Sequence, residues 1–407
     1  MHNESHRPWP LFLTFASAYF FSTLVRSVTA TLAPALSAEF GLHARDLGLL
    51  AGGYFLGFAA TQLPMGRWLD AHGPKRVLLA FLSMAVLGCA AFSLASGFAG
   101  LWAARFLTGM GLSACLMAPL TGYRRWMPAP FQLRANAWML MTGSLGMVAS
   151  TLPVQWLLPQ TGWRPLFWGL AALFVVAMAL IALRVPGWST PPVAGTGRDA
   201  PTQGYGPVWR SRYFWRLAPM GFVAYGGMVA WQTLWVGPWL VQAGGQTPGD
   251  AAAGLFGVNV AMLVTFWLWG LWTPRLAARG WGVDRLVAWL WPLAAGVAVL
   301  TMVLGPAAGW PVWALFCVCS SVLSLCQPAV AMALPPDMAG RALSAYNLVI
   351  FGGVFAMQWG LGLVIDAGVW LGWPLPDAYR GAMGFYLCAA VGTYVFFRAF
   401  KADNPAL

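Results

Sequence analysis

The sequence predicts an all-α polytopic membrane protein with twelve transmembrane helices, and three observations support this fold class. Of the 407 residues, 59% are hydrophobic and only 8% are charged, whereas an ordinary soluble domain has roughly 25% charged residues. Apolar runs recur at the length that spans a bilayer, about 20 residues each. One polar interruption divides these runs into two groups of six. This composition excludes a soluble enzyme, a disordered protein and a disulfide scaffold.

The predicted helices follow one another along the chain, and each is justified by an apolar run of bilayer length. Helix 1 is expected to be retained, because its apolar run is too long for a signal peptide and lacks a cleavage site. The first six helices cover residues 10–36, 46–66, 76–96, 99–121, 135–157 and 164–184. The second six cover residues 215–241, 250–272, 284–305, 310–333, 342–366 and 379–400.

The interruption between the two groups has the composition of a linker. Residues 186–212 are rich in Pro, Gly and Ser and also carry charges. We therefore predict an N-terminal six-helix bundle over residues 1–185 and a C-terminal bundle over residues 213–407. The loops after helices 2 and 8, Gly66–Arg76 and Gly270–Arg285, are both tight, Gly-bearing and basic. Their matching positions favour a pseudo-symmetric repeat, although any cytoplasmic hairpin can be short and basic.

Basic residues fall almost entirely on one side of the predicted membrane. With a cytoplasmic N-terminus, 18 Lys and Arg residues lie on the cytoplasmic side, whereas the outer loops carry three: Arg45, Arg164 and Arg380. This bias predicts an inner or plasma membrane protein with both termini in the cytoplasm. It also explains the net charge of +12 without a nucleic-acid partner. All six cysteines fall inside apolar spans, which disfavours a disulfide or zinc framework.

The loop after helix 2 resembles motif A, the signature loop of the major facilitator superfamily. In the family, a basic residue follows the aspartate, and here Ala71 replaces it. Pro74 occupies a site that the family often fills with Arg. The residues that match the family pattern are Gly66, Asp70, Gly73, Lys75 and Arg76.

Two further segments support this resemblance. Arg105–Gly111 in helix 4 reads R-F-L-T-G-M-G and is similar to motif B, while Gly143–Pro153 in helix 5 is loosely similar to the antiporter motif C. The resemblance covers essentially the whole chain. It implies alternating access, in which two bundles rock about a central site near the bilayer midplane. We assign the motif A residues with Arg124, Arg125 and Arg341 to a cytoplasmic gate, and Arg105 to motif B.

Charged residues inside the spans are scarce. Arg26 and Arg105 lie clearly within them, whereas every His and acidic residue lies in a loop, a tail or a span end. Without an intramembrane His or an H-E-x-x-H motif, we expect no enzyme activity, no metal site and no cofactor. Proton coupling usually requires a protonatable group at depth. We therefore expect exchange, facilitated diffusion or protonation of the substrate, unless a span-end acid such as Asp46 or Asp366 is recruited.

Arg26 lies close to the midplane of helix 1. The fork of donors on a guanidinium matches a carboxylate or phosphate, so we predict that Arg26 anchors an anion. The alternative is an arginine that pairs with helix-end carbonyls. For Arg105, a substrate contact, interfacial snorkelling and packing all stay open. Polar neighbours at helical spacing line the face of Arg26: Tyr19, Ser22, Thr23 and Thr29.

The second bundle offers uncharged candidates for the same site. Any one such residue is more often an interhelical contact than a ligand contact, but several could converge. Gly237 and Pro238 near the outer end of helix 7 predict a gating hinge. The candidates are Trp231, Gln232, Asn259, Gln327, Asn347 and Gln358.

These observations predict a monomeric secondary or facilitative transporter whose partners are the lipid bilayer and a small organic anion. Helix 1 resembles that of organic-anion and organophosphate members of the superfamily. Because helix 7 lacks the second basic residue of the organophosphate exchangers, a monovalent carboxylate is favoured. The alternatives are an exporter of amphipathic or cationic compounds, a non-transporting receptor, and a copper transporter that uses Met139, Met141 and Met147.

The predicted topology can be tested with reporter fusions. A reporter that is active only in the cytoplasm should function when fused to the C-terminus or to the linker, because the basic bias sets the orientation. A fusion in the loop that contains Arg164 is the control and should be inactive. An active reporter in that loop, or a C-terminus outside the cell, would contradict the orientation.

Overall fold

The computed structural model describes residues 8–188, 204–335 and 338–402. Within these ranges the chain forms helices joined by loops, and no β-strand is present. Most of the predicted linker, residues 189–203, lies outside the described residues, as do Arg7 and Arg198 of the charge bias. Following that bias, the side where helix 1 begins and helix 12 ends is named the cytoplasmic side, and the opposite side is the outer side.

The first bundle contains helices 1 to 6. Two of them, helices 1 and 5, are each formed by two segments that meet at a bend. Helix 2 continues past Thr61 into a long segment that turns at Gly73 and then becomes helix 3. In chain order the segments are Pro8–Ser27 and Thr29–Phe40, Ala44–Ala60, Gln62–Leu94, Phe98–Trp126, Ala129–Ala149 and Leu152–Thr161, and Trp163–Arg184.

The second bundle contains helices 7 to 12. A short linker helix, Gly206–Arg210, precedes it. Helix 7 runs over residues 212–243 as alternating α-helical and π-helical segments. Helices 8 to 12 are Pro248–Ala278, Val283–Leu304, Trp310–Met332, Ala339–Trp370 and Leu375–Ala399.

The twelve predicted helices are all found in the described part of the chain. Eight helices are long and apolar enough to cross a membrane, and the two bent pairs raise this number to 10. Helix 2, interrupted at Thr61, and helix 7, with its π-helical segments, complete the set. The largest differences from the predicted bounds are cytoplasmic extensions of helices 4, 5 and 8. These ends carry arginines, so helical structure continues beyond the apolar run that marks the bilayer core.

Helix 7 shows no break at the predicted hinge. The backbone at Pro238 is helical, with φ −54° and ψ −38°. The irregularity is instead spread over three π-helical segments, Met220–Tyr225, Trp231–Trp235 and Trp239–Ala243. Such segments are rare and concentrate at functional sites. The distortion in helix 7 therefore extends along most of its length, with Gln232 inside the middle segment.

The bends in helices 1 and 5 lie next to each other. Helix 1 bends by 45° and helix 5 by 43°. At the break in helix 5, the hydroxyl of Thr31 from helix 1 donates a hydrogen bond of 2.8 Å to the carbonyl of Ser150. The break in helix 5 removes the helical hydrogen bond of this carbonyl, and the Thr31 side chain replaces it. A buried polar group in a bilayer needs such a replacement.

The two bundles are closed against each other on the outer side. Helix 2 packs on helix 11, helix 5 on helix 8, and the outer half of helix 1 on helix 7. Gly48 lies directly against the carbonyl of Gln358, and a Cβ at Gly237 would lie 2.9 Å from the carbonyl oxygen of Ala30. Arg26 at mid-depth stays partly exposed, whereas Thr29 beyond it is buried. With the sides named as above, a structure closed on the outer side corresponds to an inward-facing arrangement.

The turn between helices 2 and 3 depends on Gly73. Its φ of 73° and ψ of 165° fall in a region that only glycine adopts readily. The position is also crowded, because an added Cβ would overlap the ring of Trp188 at the start of the linker. Gly66, the other glycine of the motif, is helical and has no atom within 4 Å of an added Cβ. Only one of the two glycines is therefore required by the backbone.

We expect Gly73→Ala to destabilise the protein by about 1–3 kcal/mol from backbone strain alone, with a further cost for displacing Trp188. The double change Gly73→Ala with Trp188→Ala should recover the steric part of this loss but not the strain. The apparent melting temperature in detergent measures both effects.

Gly66→Ala is the matched control within the same loop. It should leave the melting temperature unchanged or raise it, because alanine stabilises a helix by about 1 kcal/mol relative to glycine. Equal losses at Gly66 and Gly73 would contradict the assignment of the turn to Gly73.

Candidate substrate site

Arg26 occupies the last turn of the first segment of helix 1. One end nitrogen, Nη2, donates to the sulfur of Met147 in helix 5 at 3.3 Å. The buried Nε has no hydrogen-bond partner within the described chain. The ion pairs of the described residues do not include Arg26 either. A thioether is a weak acceptor, so most of the donor capacity of this guanidinium is unused.

Three phenol groups lie near enough to Arg26 to interact with its charge. The guanidinium interacts electrostatically with Tyr19 on its own helix, with Tyr54 on helix 2 and with Tyr225 on helix 7. The hydroxyl of Tyr54 is buried and has no hydrogen-bond partner within the described residues. Tyr225 belongs to the second bundle, so the cluster includes groups from both halves of the protein. The positive charge of Arg26 is therefore near phenols from both halves of the protein.

Arg105 is the other arginine inside the membrane, and its surroundings are quite different. It is 1% exposed. Its Nη1 donates to the carbonyl of Val25 at 2.9 Å, and its Nη2 donates to the hydroxyl of Thr29 at 2.6 Å. Its guanidinium also lies 5.2 Å from the centre of the Tyr54 ring. Such a cation–π contact contributes about 2 kcal/mol when desolvated.

The contacts of Arg105 explain the bend of helix 1. In a continuous helix the carbonyl of Val25 would accept from the N–H four residues later. Here it accepts from Arg105, whose side chain enters the ladder at the bend between Ser27 and Thr29. Inserted side chains are a known cause of such kinks. Arg105 therefore holds the segment that carries Arg26, and both of its end nitrogens are already bound to helix 1.

The remaining polar residues of helix 1 are mostly occupied. The hydroxyl of Thr23 bonds back to the carbonyls of Tyr19 and Phe20 and packs against Gly146 of helix 5. Thr29 is bound by Arg105. Of the predicted stripe, Tyr19 and Ser22 remain near the centre of the site, since Ser22 lies beside Tyr54.

Four of the predicted amides in the second bundle pair with one another. Gln232 donates to Asn259 at 3.0 Å, joining helices 7 and 8, and Gln327 donates to Asn347, joining helices 10 and 11. Gln358 is fully buried and donates to Thr233 at 3.0 Å. The structure thus brings these residues together in pairs, and their first partners are protein groups.

Trp231 lies in an aromatic cluster rather than beside Arg26. Its ring centre is 4.8 Å from that of Trp313 on helix 10, and Trp239 completes the cluster at 5.2 Å from Trp313. Trp231 is fully buried, and its indole N–H has no partner among the described residues. The cluster packs helix 7 against helix 10.

The predicted gate residues lie at the cytoplasmic surface. Lys75, Arg76 and Trp188 line a cavity of about 300 Å³, and the guanidinium of Arg125 lies 4.5 Å above the Trp188 ring. Arg124 is an exposed residue of the last turn of helix 4. Arg341 lies in the first turn of helix 11.

Asp70 is exposed at the cytoplasmic end of helix 2, and a linker residue separates it from helix 11. The phenol of Tyr205 donates to the carbonyl of Leu63 at 2.7 Å. Asp70 and Arg341 both interact electrostatically with this phenol. Burial raises the pKa of Tyr205, so the phenol stays protonated and keeps its donor. The phenol also lies beside Ser344 of helix 11, so Tyr205 lies between the two bundles on the cytoplasmic side.

Four residues near Arg26 were not among the predicted anion-site residues: Tyr54, Tyr225, Met147, which was named only as a copper ligand, and Cys115, which lies near Tyr19 and Ser22. The two tyrosines could have been found from their neighbours in the sequence. Tyr54 directly follows a pair of glycines, and Tyr225 directly precedes one. Glycine pairs allow a helix to approach another backbone closely, and a bulky polar residue beside them then faces the same junction. Cys115 and Met147 carry no comparable signal.

Comparison with curated proteins gives relatives that transport anions. The 4-hydroxybenzoate transporter PcaK of Pseudomonas aeruginosa is 30% identical over 183 residues, which cover 44% of this chain and 40% of the relative. The cis,cis-muconate transport protein of Acinetobacter baylyi is 27% identical over 147 residues, covering 36% and 35%. The sodium-dependent phosphate transport protein 1 of Arabidopsis thaliana is 28% identical over 181 residues, covering 44% and 35%. Each of these matches spans well under half of the relative.

Solved structures share the fold over nearly the whole chain. The D-xylose-proton symporter has a TM-score of 0.77 at 15% identity, covering 98% of this chain and 99% of that one. A bacterial homologue of the human lysosomal transporter Spinster, in an inward-facing and unoccupied conformation, has a TM-score of 0.75 at 18% identity and covers 98% of both chains. The family model described as Major Facilitator Superfamily matches residues 15–357. This chain therefore belongs to the major facilitator superfamily, whose members are transporters and not enzymes.

Proposed function

We propose that this protein transports a small monovalent organic anion by alternating access and that Arg26 binds its carboxylate. The observation that carries the proposal is the contrast between the two intramembrane arginines. The buried Nε of each arginine lacks a partner among the described residues. Arg105, however, donates through both end nitrogens to a carbonyl and a hydroxyl and lies against a ring, whereas Arg26 has one thioether partner. A charge at this depth costs about 3 kcal/mol on insertion scales, and an anionic ligand would offset that cost.

The phenols around Arg26 favour an organic anion with a flat or aromatic body. Tyr19, Tyr54 and Tyr225 offer hydroxyl donors to carboxylate oxygens and ring faces to an apolar body. Because Tyr225 lies on the opposite bundle, a ligand between Arg26 and Tyr225 would couple binding to bundle movement. The names of the relatives, which include transporters of 4-hydroxybenzoate and cis,cis-muconate, support this substrate class.

The electrostatics of the site disfavour the cationic alternatives. A cation or a copper ion would approach the fixed positive charge of Arg26, which is bound to the sulfur of Met147. The other two methionines have different surroundings, because Met139 is fully buried whereas Met141 is 39% exposed. We further propose that the protein is a monomer in an inner or plasma membrane, with its termini in the cytoplasm.

Motif A supports a second part of the proposal, a cytoplasmic gate. Asp70 would approach the start of helix 11 near Gly340 when the cytoplasmic side closes, because a carboxylate stabilises a helix N-terminus. Arg124 and Arg341 would contribute charges to this closed gate. In the inward-facing structure Tyr205 lies between these elements, so closing the gate requires Tyr205 to move.

Substitutions of Arg26 test the substrate site. We expect Arg26→Lys to weaken binding about tenfold, because the bidentate fork is lost. Arg26→Gln should weaken it about 100-fold or more, because losing one partner of a charge pair costs about 2–5 kcal/mol. Calorimetry with 4-hydroxybenzoate, benzoate, inorganic phosphate and a quaternary ammonium ion measures both affinity and class. Full binding by Arg26→Gln would remove the reason for an anionic substrate.

Arg105→Gln is the matched control, because it neutralises the other intramembrane arginine. It should lower the apparent melting temperature, since it leaves the carbonyl of Val25 without its partner. Arg26→Gln should keep or raise that temperature, because an unpaired buried charge is removed. A collapse of Arg26→Gln as a folded protein would make Arg26 a structural residue.

Asp70→Asn tests the gate separately from the site. We expect slower transport in proteoliposomes with unchanged affinity for the anion, because the outward-facing state is weakened and the central site is intact. Asp250→Asn is the control, since Asp250 lies on the outer side in the first turn of helix 8 and accepts from the hydroxyl of Thr247, which caps that helix. Normal transport by Asp70→Asn, or loss of binding, would contradict a gating role. Loss of expression would indicate that Asp70 serves folding of the loop.

A further inference from the structure

The outer end of helix 2 has two backbone donors that its own helix cannot satisfy. The first N–H groups of any α-helix lack intrahelical acceptors. Helix 2 begins at Ala44, and the carboxylate of Asp46 within the same turn accepts from the N–H of His43. This capping box leaves the N–H groups of Ala44 and Arg45 to find partners elsewhere.

Those partners come from the opposite bundle. Asp366 near the outer end of helix 11 accepts from the N–H of Ala44 with Oδ1 and from the N–H of Arg45 with Oδ2, each at 3.1 Å. The carboxylate thus spans the N-terminus of helix 2 with both oxygens, where the helix dipole also favours a negative charge. The guanidinium Nε of Arg45 lies 4.0 Å from the same carboxylate.

We propose that Asp366 is the latch that holds the outer side of the transporter closed in the inward-facing state. Its two hydrogen bonds join the bundles, which separate on the outer side when the transporter turns outward. The backbones are also close at this point, since Gly362, one turn before Asp366, lies against the carbonyl of Ala44. Opening the outer side therefore requires both bonds to break and the end of helix 2 to be uncapped. Asp366 is a positioning residue that acts through the helix it caps, without touching the substrate.

This latch does not rest on the identity of the substrate. It would operate for any cargo, since it lies at the outer surface, far along helix 11 from Asn347. It is also distinct from a capping residue that merely stabilises helix 2, because Asp46 already fills that role within the same bundle. Asp46 is therefore a close control: the side chains of Asp46 and Asp366 are 27% and 25% exposed and share a helix end.

The test measures how often the outer side opens. Ala33 lies one turn beyond Ala30 on the face of helix 1 that packs on helix 7, and it is buried. A cysteine at Ala33, with Cys319 and Cys388 replaced by alanine, is labelled in intact cells with a membrane-impermeant maleimide. We expect Asp366→Asn to speed labelling about tenfold, because the loss of a helix cap shifts the equilibrium towards the open state by roughly this factor. Asp46→Asn should leave the rate unchanged.

A second variant removes the same contact from the other partner. Ala44→Pro deletes one donor N–H at the first position of helix 2, where proline is well tolerated. It should speed labelling by itself and add little to Asp366→Asn, because both changes break the same interaction. If Asp366→Asn leaves the labelling rate unchanged, or Asp46→Asn raises it equally, the latch is wrong.

Spin labels at Thr161 and Leu371, both exposed on the outer side, give an independent measurement. The distance between the two labels should lengthen in Asp366→Asn, and an unchanged distance would overturn the proposal.

Discussion

The bend of helix 1 depends on a guanidinium that is buried without a carboxylate. The two end nitrogens of Arg105 donate hydrogen bonds to the carbonyl of Val25 and the hydroxyl of Thr29. In a bilayer a broken helical bond is tolerated only if another group replaces it, so the bend and the buried charge stabilise each other. Because Arg26 directly follows Val25, the contact between Arg105 and Val25 also positions the guanidinium of Arg26.

The two bundles contribute different chemistry to the centre of the protein. The first bundle supplies the charge, through Arg26, and most of its phenolic surroundings. The second bundle pairs its amides internally and packs its tryptophans around helix 7, and it contributes Tyr225 to the cluster. A charge on one half and a phenol on the other suit the proposed alternating access, because a ligand that contacts both halves would favour closure of the bundles.

Carboxylates at helix ends offer a common physical basis for the two gates. A helix N-terminus carries exposed donors and a partial positive charge, and a carboxylate from the opposing bundle can satisfy it only when the bundles are close. At the outer end, Asp366 caps helix 2 in the inward-facing structure. In the gate that we propose, Asp70 would make the corresponding contact with helix 11 at the cytoplasmic end. Since helices 2 and 11 stay packed along their middles, each such contact would form at one end of the pair at a time.

The sequence by itself determined the spans, the bundles and the position of the central charge. Bilayer length, the basic bias and the turn at Gly73 are local properties, so periodicity and composition reveal them. Arg26 stood out because an arginine within an apolar run is costly. Only the tertiary structure decided that Thr29 serves Arg105, that the amides pair, that Tyr54 and Tyr225 face Arg26, and that Asp366 reaches the start of helix 2. Asp366 and its partners are more than 320 residues apart along the chain. Contacts at that separation arise from how the helices pack, which no local pattern in the sequence encodes.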